Sequence, residues 1–165
     1  MASGDTLFER TTQGAEPGTY TANFAIHDTR NGHPILNFAS GTIVTTQFGG
    51  VLPRNYAGGG ITVIPHFIGG TATGGTLVVG AAIERIGIVQ DIDADGYAAT
   101  LFGTITMPGT SGHVGTVGIA FTNGAAMDSL AVGEGFRVQI QRVGTFATDT
   151  MGGTAQLRFV EIKET

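Results

Sequence analysis

The sharpest chemical pattern in the chain is "DIDADGY", where Asp91, Asp93 and Asp95 alternate ahead of Gly96. Carboxylates at that spacing, with a glycine to bend the backbone, are how calcium loops begin. The bidentate glutamate expected at the twelfth position is Phe102, and no helical periodicity flanks the segment, so an EF-hand is excluded. Three aspartates on a turn keep the chemistry of a weak calcium site, against the plainer reading of a solvated acidic turn between strands. A second cluster holds His27, Asp28 and His33 around the turn signal Asn31-Gly32, with His66 and His113 further on. No third zinc ligand follows at readable spacing, so these read as ordinary strand or surface histidines.

Nucleophilic and acid–base chemistry find little footing. Ser111 lies near His113 in "GTSGH", which lacks the G-x-S-x-G of a nucleophile elbow, and no acidic partner has a defined relation to the pair. Glu84 and Arg85 are adjacent in an apolar run; neighbours on a strand face opposite sides, so one of them is expected to contact a neighbouring strand or subunit. No catalytic residue is assigned, and the chain reads as a non-enzyme. No cofactor is implied.

In "LPRNYAGGGITVIPHF", Gly58, Gly59 and Gly60 run into Ile61-Thr62-Val63. A phosphate loop would need Lys-Ser or Lys-Thr after the last glycine and a helix to follow. The residues point instead to a structural role, one glycine supplying a positive φ and the others a close backbone passage into a strand. Arg54, Asn55 and Tyr56 then form the loop tip. Arg and Tyr are types that anchor interfaces, so this tip is a candidate partner contact, against the alternative that Tyr56 packs over its own sheet edge.

Composition bounds the scaffold that must position these groups. The chain has 165 residues, enough for one domain that buries roughly 70% of its unfolded surface. Charged residues make up 13%, glycines number 28, and cysteine is absent, which removes thiol chemistry and Cys-zinc sites. The net charge of −5, with eight Lys plus Arg and no basic run, argues against nucleic acid or an anionic membrane as partner. The start shows no signal-peptide pattern and no apolar run is long enough to span a bilayer, so a soluble chain made in a cytoplasm is expected.

Short Val/Ile/Thr/Phe runs punctuated by Gly, Pro, Asn and Asp predict strands near 21–27, 34–39, 42–48, 60–68, 75–87, 99–107, 113–122, 135–143 and 155–163. In "EGFRVQIQRVG", Phe136, Val138 and Ile140 point one way and Arg137, Gln139 and Gln141 the other. The phase breaks in "AQLRFVEIKET" between Phe159 and Val160, which means a bulge or a strand covered on both faces. "NGAAMDSLAVGE" holds one short helical turn with Asp128 or Ser129 as its cap. Residues 1–20 read as a polar arm with Leu7 and Phe8 as isolated anchors, and 21–165 as an all-β, two-sheet antiparallel sandwich. The expected form is a jelly roll, with an immunoglobulin-like sandwich as the alternative.

Several stretches also resemble a group of tailed-bacteriophage virion proteins: "HDTRNGHPILNF" (27–38), "FGGVLPRNYAGGGITVIPHF" (48–67), "VVGAAIERI" (78–86), "SLAVGEGFRVQIQRVG" (129–144) and "DTMGGTAQLRFVEI" (149–162). The resemblance implies a jelly-roll decoration, or cement, protein on the outer surface of a capsid. It would be a homotrimer bound to the major capsid protein; by residue type and position, Leu7, Phe8, Arg54, Asn55 and Tyr56 are the expected partner contacts. The alternative is a tail- or fibre-associated module that binds a host surface or glycan. Exposed Trp and Tyr platforms would serve that role, and the chain has no Trp and three Tyr.

Overall fold

A computed structural model describes residues 4–12, 15, 23–71 and 74–165. Eleven strands follow one another: β1 (Thr6–Thr11), β2 (Ile26–Arg30), β3 (His33–Phe38), β4 (Ile43–Val51), β5 (Ile61–Gly69), β6 (Thr76–Ile86), β7 (Leu101–Thr106), β8 (Val114–Thr116), β9 (Ile119–Phe121), β10 (Gly135–Val143) and β11 (Ala155–Glu164). They form a seven-stranded sheet in the order β2-β3-β11-β5-β8, with β1 also on β11 and β9 also on β5, and a four-stranded sheet in the order β4-β10-β6-β7. Every strand pair is antiparallel. From β3 to β6 each strand crosses to the other sheet, and β8 with β9, β10 and β11 do so again. That alternation is the jelly roll, and the immunoglobulin-like alternative is set aside.

The inward phases meet in one core. Phe38, Phe67, Leu157 and Ile162 of the larger sheet face Phe48, Val79, Ile83, Phe136 and Ile140 of the smaller. Phe38 and Phe67 meet edge to face, their ring centres 5.2 Å apart. The phase break in β11 is a bulge, because the register with β5 slips between Leu157 and Phe159. It returns Val160 and Ile162 to the core and turns Phe159 outward, where its ring stacks on His66 at 4.0 Å.

Two expectations need correction. The stretch taken as an arm contributes β1, which pairs with β11 from Thr6↔Lys163 to Thr11↔Phe159. Leu7 and Phe8 are half-buried against the core, and the Phe8 ring lies 5.5 Å from Phe136, because the part of β11 beyond β3 needs a neighbour. The remainder of the proposed 1–20 segment lies largely outside the described residues. The first expected strand, 21–27, starts later, at Ile26; before it, Phe24 forms a parallel bridge to Thr45 of β4, and residues 21 and 22 are not described.

The short turn in "NGAAMDSL" is a 3-10 turn, Ala125–Met127, capped by Gly124 without a side-chain bond. Asp128 ends it in the left-handed region (φ 54°) and does not begin it, and its carboxylate accepts the Arg85 N–H at 2.9 Å. At the opposite end of the sandwich the fully buried Arg142 satisfies all five of its donors. They go to both Asp149 carboxylate oxygens and to the carbonyls of Phe38, Gly153 and Met151. Among the described residues no helix is long and apolar enough to cross a membrane.

Candidate functional site

The outward phase of β10 sets an organised polar face on the smaller sheet. Because Phe136, Val138 and Ile140 fill the core, Arg137, Gln139 and Gln141 stand on the other side of the smaller sheet. Register places Gly49, Gln47 and Thr45 beside them on β4, and Glu84, Ala82 and Gly80 beside them on β6. Phe102 of β7 lies opposite Gly80 and is 51% exposed, so an aromatic ring shares a row with Gln141.

Charge on this face is internally balanced. Glu84 is 1% exposed and receives Arg137 through Nε and Nη2, both 2.7 Å from its Oε2. Arg137 Nη1 also donates to Gln47 Oε1 at 3.2 Å, and the Tyr97 ring covers the guanidinium at 5.0 Å. This answers the question raised by Glu84 and Arg85: each contacts a neighbouring element, Arg85 by an ion pair with Glu134 at 3.0 Å. Gly80 is small for a reason, since a Cβ there would sit 2.6 Å from Gln141 Nε2 and 3.0 Å from Thr100 Cγ2. The glutamine side chain therefore lies down across the sheet. Among the described residues the amides of Gln139 and Gln141 have no hydrogen-bond partner, and Phe102 meets Phe146 at 5.4 Å on the far side.

The residues singled out by sequence are scattered around this face. In the Gly58 to Gly60 lead-in two glycines, where one was expected, have a positive φ. Gly58 (φ 96°) and Gly60 (φ 105°) are left-handed, a Cβ on Gly60 would collide with the Phe121 carbonyl, and one on Gly59 would meet the Thr165 carbonyl at 3.0 Å. Tyr56 braces the loop from inside: its hydroxyl accepts the Gly60 N–H at 2.7 Å, and its ring packs on the core. Burial pushes that hydroxyl's pKa above the usual 10.0; the Gly60 bond works the other way and Glu164 adds to the rise. Arg54 lies 3.5 Å from the position of a Cβ on Gly133, and Arg54 and Asn55 are exposed. Tyr56 also borders a hollow of about 380 Å³ with Asn123, Leu130 and Val132.

Asp91, Asp93 and Asp95 form a local turn in which Asp91 accepts the Asp93 N–H at 3.0 Å. Among the described residues no group of three His, Asp or Glu gathers as a metal would require, and the histidines stay apart. His27 and His33 sit on the β2–β3 hairpin, with His27 opposite Leu36 and His33 opposite Arg30. Thr29 N–H and then Asn37 hold the Asp28 carboxyl below its usual 3.8. Ser111 accepts from Arg30 and donates to the Gly70 carbonyl, a structural role.

Sequence reasoning placed Gln139 and Gln141 on the outward phase but gave them no function. The available signal was two uncharged amides where a solvated strand face ordinarily carries charge. Tyr97 and Phe102 were hidden because their convergence depends on how the β6–β7 loop folds back, where Ala98 N–H bonds the Ile83 carbonyl.

No family model matches the sequence, and no curated protein does. Among solved structures the chain is similar to the C-terminal CBM6 of LamC, a marine laminarinase from Zobellia galactanivorans. The TM-score is 0.50 at 8% identity, over 95% of this chain and 98% of that one. It is also similar to the CBM22-1 xylan-binding domain of Paenibacillus barcinonensis Xyn10C, with TM-score 0.49 and 13% identity over 99% and 96% of the two chains. At such identities the likeness to the LamC module establishes the shared jelly-roll fold.

Proposed function

We propose that the chain is a non-catalytic binding module whose smaller sheet receives a carbohydrate on its outer face. One observation carries this: the side-chain amides of Gln139 and Gln141, without a hydrogen-bond partner among the described residues, lie beside exposed Phe102 over a floor of Gly80 and Ala82. A sugar ring presents an apolar face and a girdle of hydroxyls. An aromatic side chain takes the first, and an amide, which donates and accepts, takes the second. Glu84 is neutralised by Arg137, so a neutral glycan meets no uncompensated charge. The fold shared with a carbohydrate-binding module of a laminarinase supports the reading as analogy, while the chemistry of the face is the argument.

A glycan array with the purified chain tests it. Reproducible hits are expected, and Gln139→Ala with Gln141→Ala should weaken them roughly tenfold or more, at about 1 kcal/mol for each lost hydrogen bond, with an unchanged melting temperature. An array without hits overturns the reading.

A second reading, a homotrimeric decoration protein bound to the major capsid protein on a phage exterior, keeps the support of the sequence resemblance and of one surface feature. Phe24 and Ile43 are exposed where residues 23–25 run beside β4, and exposed Ile26 follows at the start of β2; such a strip suits burial against a shell. Electron microscopy of particles carrying the chain should then show it on the outer capsid surface; density confined to the tail would contradict it.

A further inference from the structure

Positive charge without a carboxylate partner gathers at one place on the outer face of the larger sheet. A hollow of about 380 Å³ lies between the β2–β3 hairpin and the segment entering β8, bordered by Arg30, His33, Arg158 and Val114. Ile35 and Ile68, both buried, close its floor, so the charges at the rim stand over an apolar base where screening is weaker than in water. Among the described residues no acidic side chain lines it. Asp28, the acid closest to Arg30 in sequence, is turned to the Thr29 N–H and the Asn37 amide. Among the described residues neither Arg30 nor Arg158 has a carboxylate partner, whereas Arg85, Arg137 and Arg142 each do.

Arg30 is locked in place from one side only. Its Nη1 donates to the Gly69 and Gly70 carbonyls, both at 3.0 Å, and to Gln156 Oε1 at 2.7 Å, while Nη2 donates to Ser111 Oγ at 3.0 Å. Ser111 in turn donates to the Gly70 carbonyl at 3.1 Å, so the serine sits on the Nη1 side of the guanidinium. The edge made by Nε–H and the second Nη2–H is left without a partner among the described residues. Those two parallel N–H groups are the fork that grips two oxygens of one oxyanion. Gly112 adjoins Nη2, and a Cβ there would crowd it at 3.3 Å. Arg158 makes one long bond, 3.5 Å from Nη1 to the Pro34 carbonyl, and keeps its other donors.

We propose that this hollow binds a phosphoryl dianion. Two guanidinium charges with no counter-carboxylate call for a ligand that carries two negative charges. A planar monocarboxylate fills the Arg30 fork and leaves Arg158 unmatched, whereas a tetrahedral phosphoryl group gives two oxygens to the fork and a third to Arg158. Because its bonds already fix it, Arg30 loses little side-chain freedom on binding. A bare phosphate fills only part of about 380 Å³, which leaves room for the body of a monoester. The hollow lies on the opposite sheet from Gln139, Gln141 and Phe102, so it stands or falls independently of the carbohydrate reading.

Isothermal titration of the full chain with inorganic phosphate, at constant ionic strength set by potassium chloride, tests it. Saturable binding is expected. Arg158→Gln should weaken it roughly tenfold or more. Val114→Glu, which sets a carboxylate at a position 45% exposed beside the hollow, should abolish it. Neither substitution removes more than one long hydrogen bond, so melting temperatures without phosphate should match the wild type; where Val114→Glu fails to match, Arg158→Gln decides. Glucose 6-phosphate as a second titrant separates the two sources of the group: affinity at or above that of phosphate assigns a monoester, and weaker affinity assigns the free ion. An absence of saturation, an affinity that either folded variant leaves unchanged, or glucuronate binding as tightly as phosphate overturns the proposal.

Discussion

Arg142 and Asp149 show how a single pair organises an end of the sandwich. The guanidinium is wholly buried, and Asp149 also accepts the Val78 N–H at 3.0 Å, so the pair ties β10, β6 and the end of β3 together. Removing one partner strands a buried charge, and Asp149→Ala should cost about 3–5 kcal/mol in urea unfolding. Tyr56→Phe leaves the Gly60 N–H without its acceptor and should cost about 1 kcal/mol in the same measurement. His66 supplies the pH dependence. Burial beneath Phe159 holds its pKa below the usual 6.5, with the charges of Glu161 and Glu9 offsetting part of the shift. A depressed histidine favours folding while neutral, so its contribution is complete above the unfolded value and is lost as pH falls through the folded one. Urea midpoints followed across about pH 5–8 should therefore drop on the acid side, and His66→Gln should flatten that slope. Positive φ has a sequence signature in the glycine lead-in, whereas Arg142, on the inward phase of β10, shows nothing of the Asp149, Met151 and Gly153 partners that the loop after β10 folds back onto it.

At the scale of elements, period-two alternation located nearly every strand from β3 onward, since half-buried strands advertise their faces. β1 escaped because "TLFERT" alternates weakly and sits among turn residues; pairing with β11, a non-local event, makes it a strand. Deleting residues 1–12 should consequently do more than free an arm. It uncovers Phe136 and an edge of β11, and should lower stability by roughly 2 kcal/mol or more, read as a reduced urea midpoint. An unchanged midpoint would mean that β1 is dispensable to the fold. The bulge in β11 was legible as one of two alternatives, and only the register with β5 decided between them.

For the whole molecule, strand number and the lack of helical crossovers led to two packed sheets, and the alternation of successive strands between them makes the jelly roll. Site chemistry was far less legible, because the candidate face is assembled from β4, β6, β7, β10 and a loop, five segments whose proximity no local pattern encodes. That assembly also leaves a sharp prediction about place. Side-chain amide resonances of Gln47, Gln139 and Gln141 can be followed by heteronuclear NMR while the best array glycan is titrated in. The account predicts saturable shifts concentrated on those amides and on residues around Phe102. Shifts centred instead on the Tyr56–Leu130 hollow, or none at all, would contradict it.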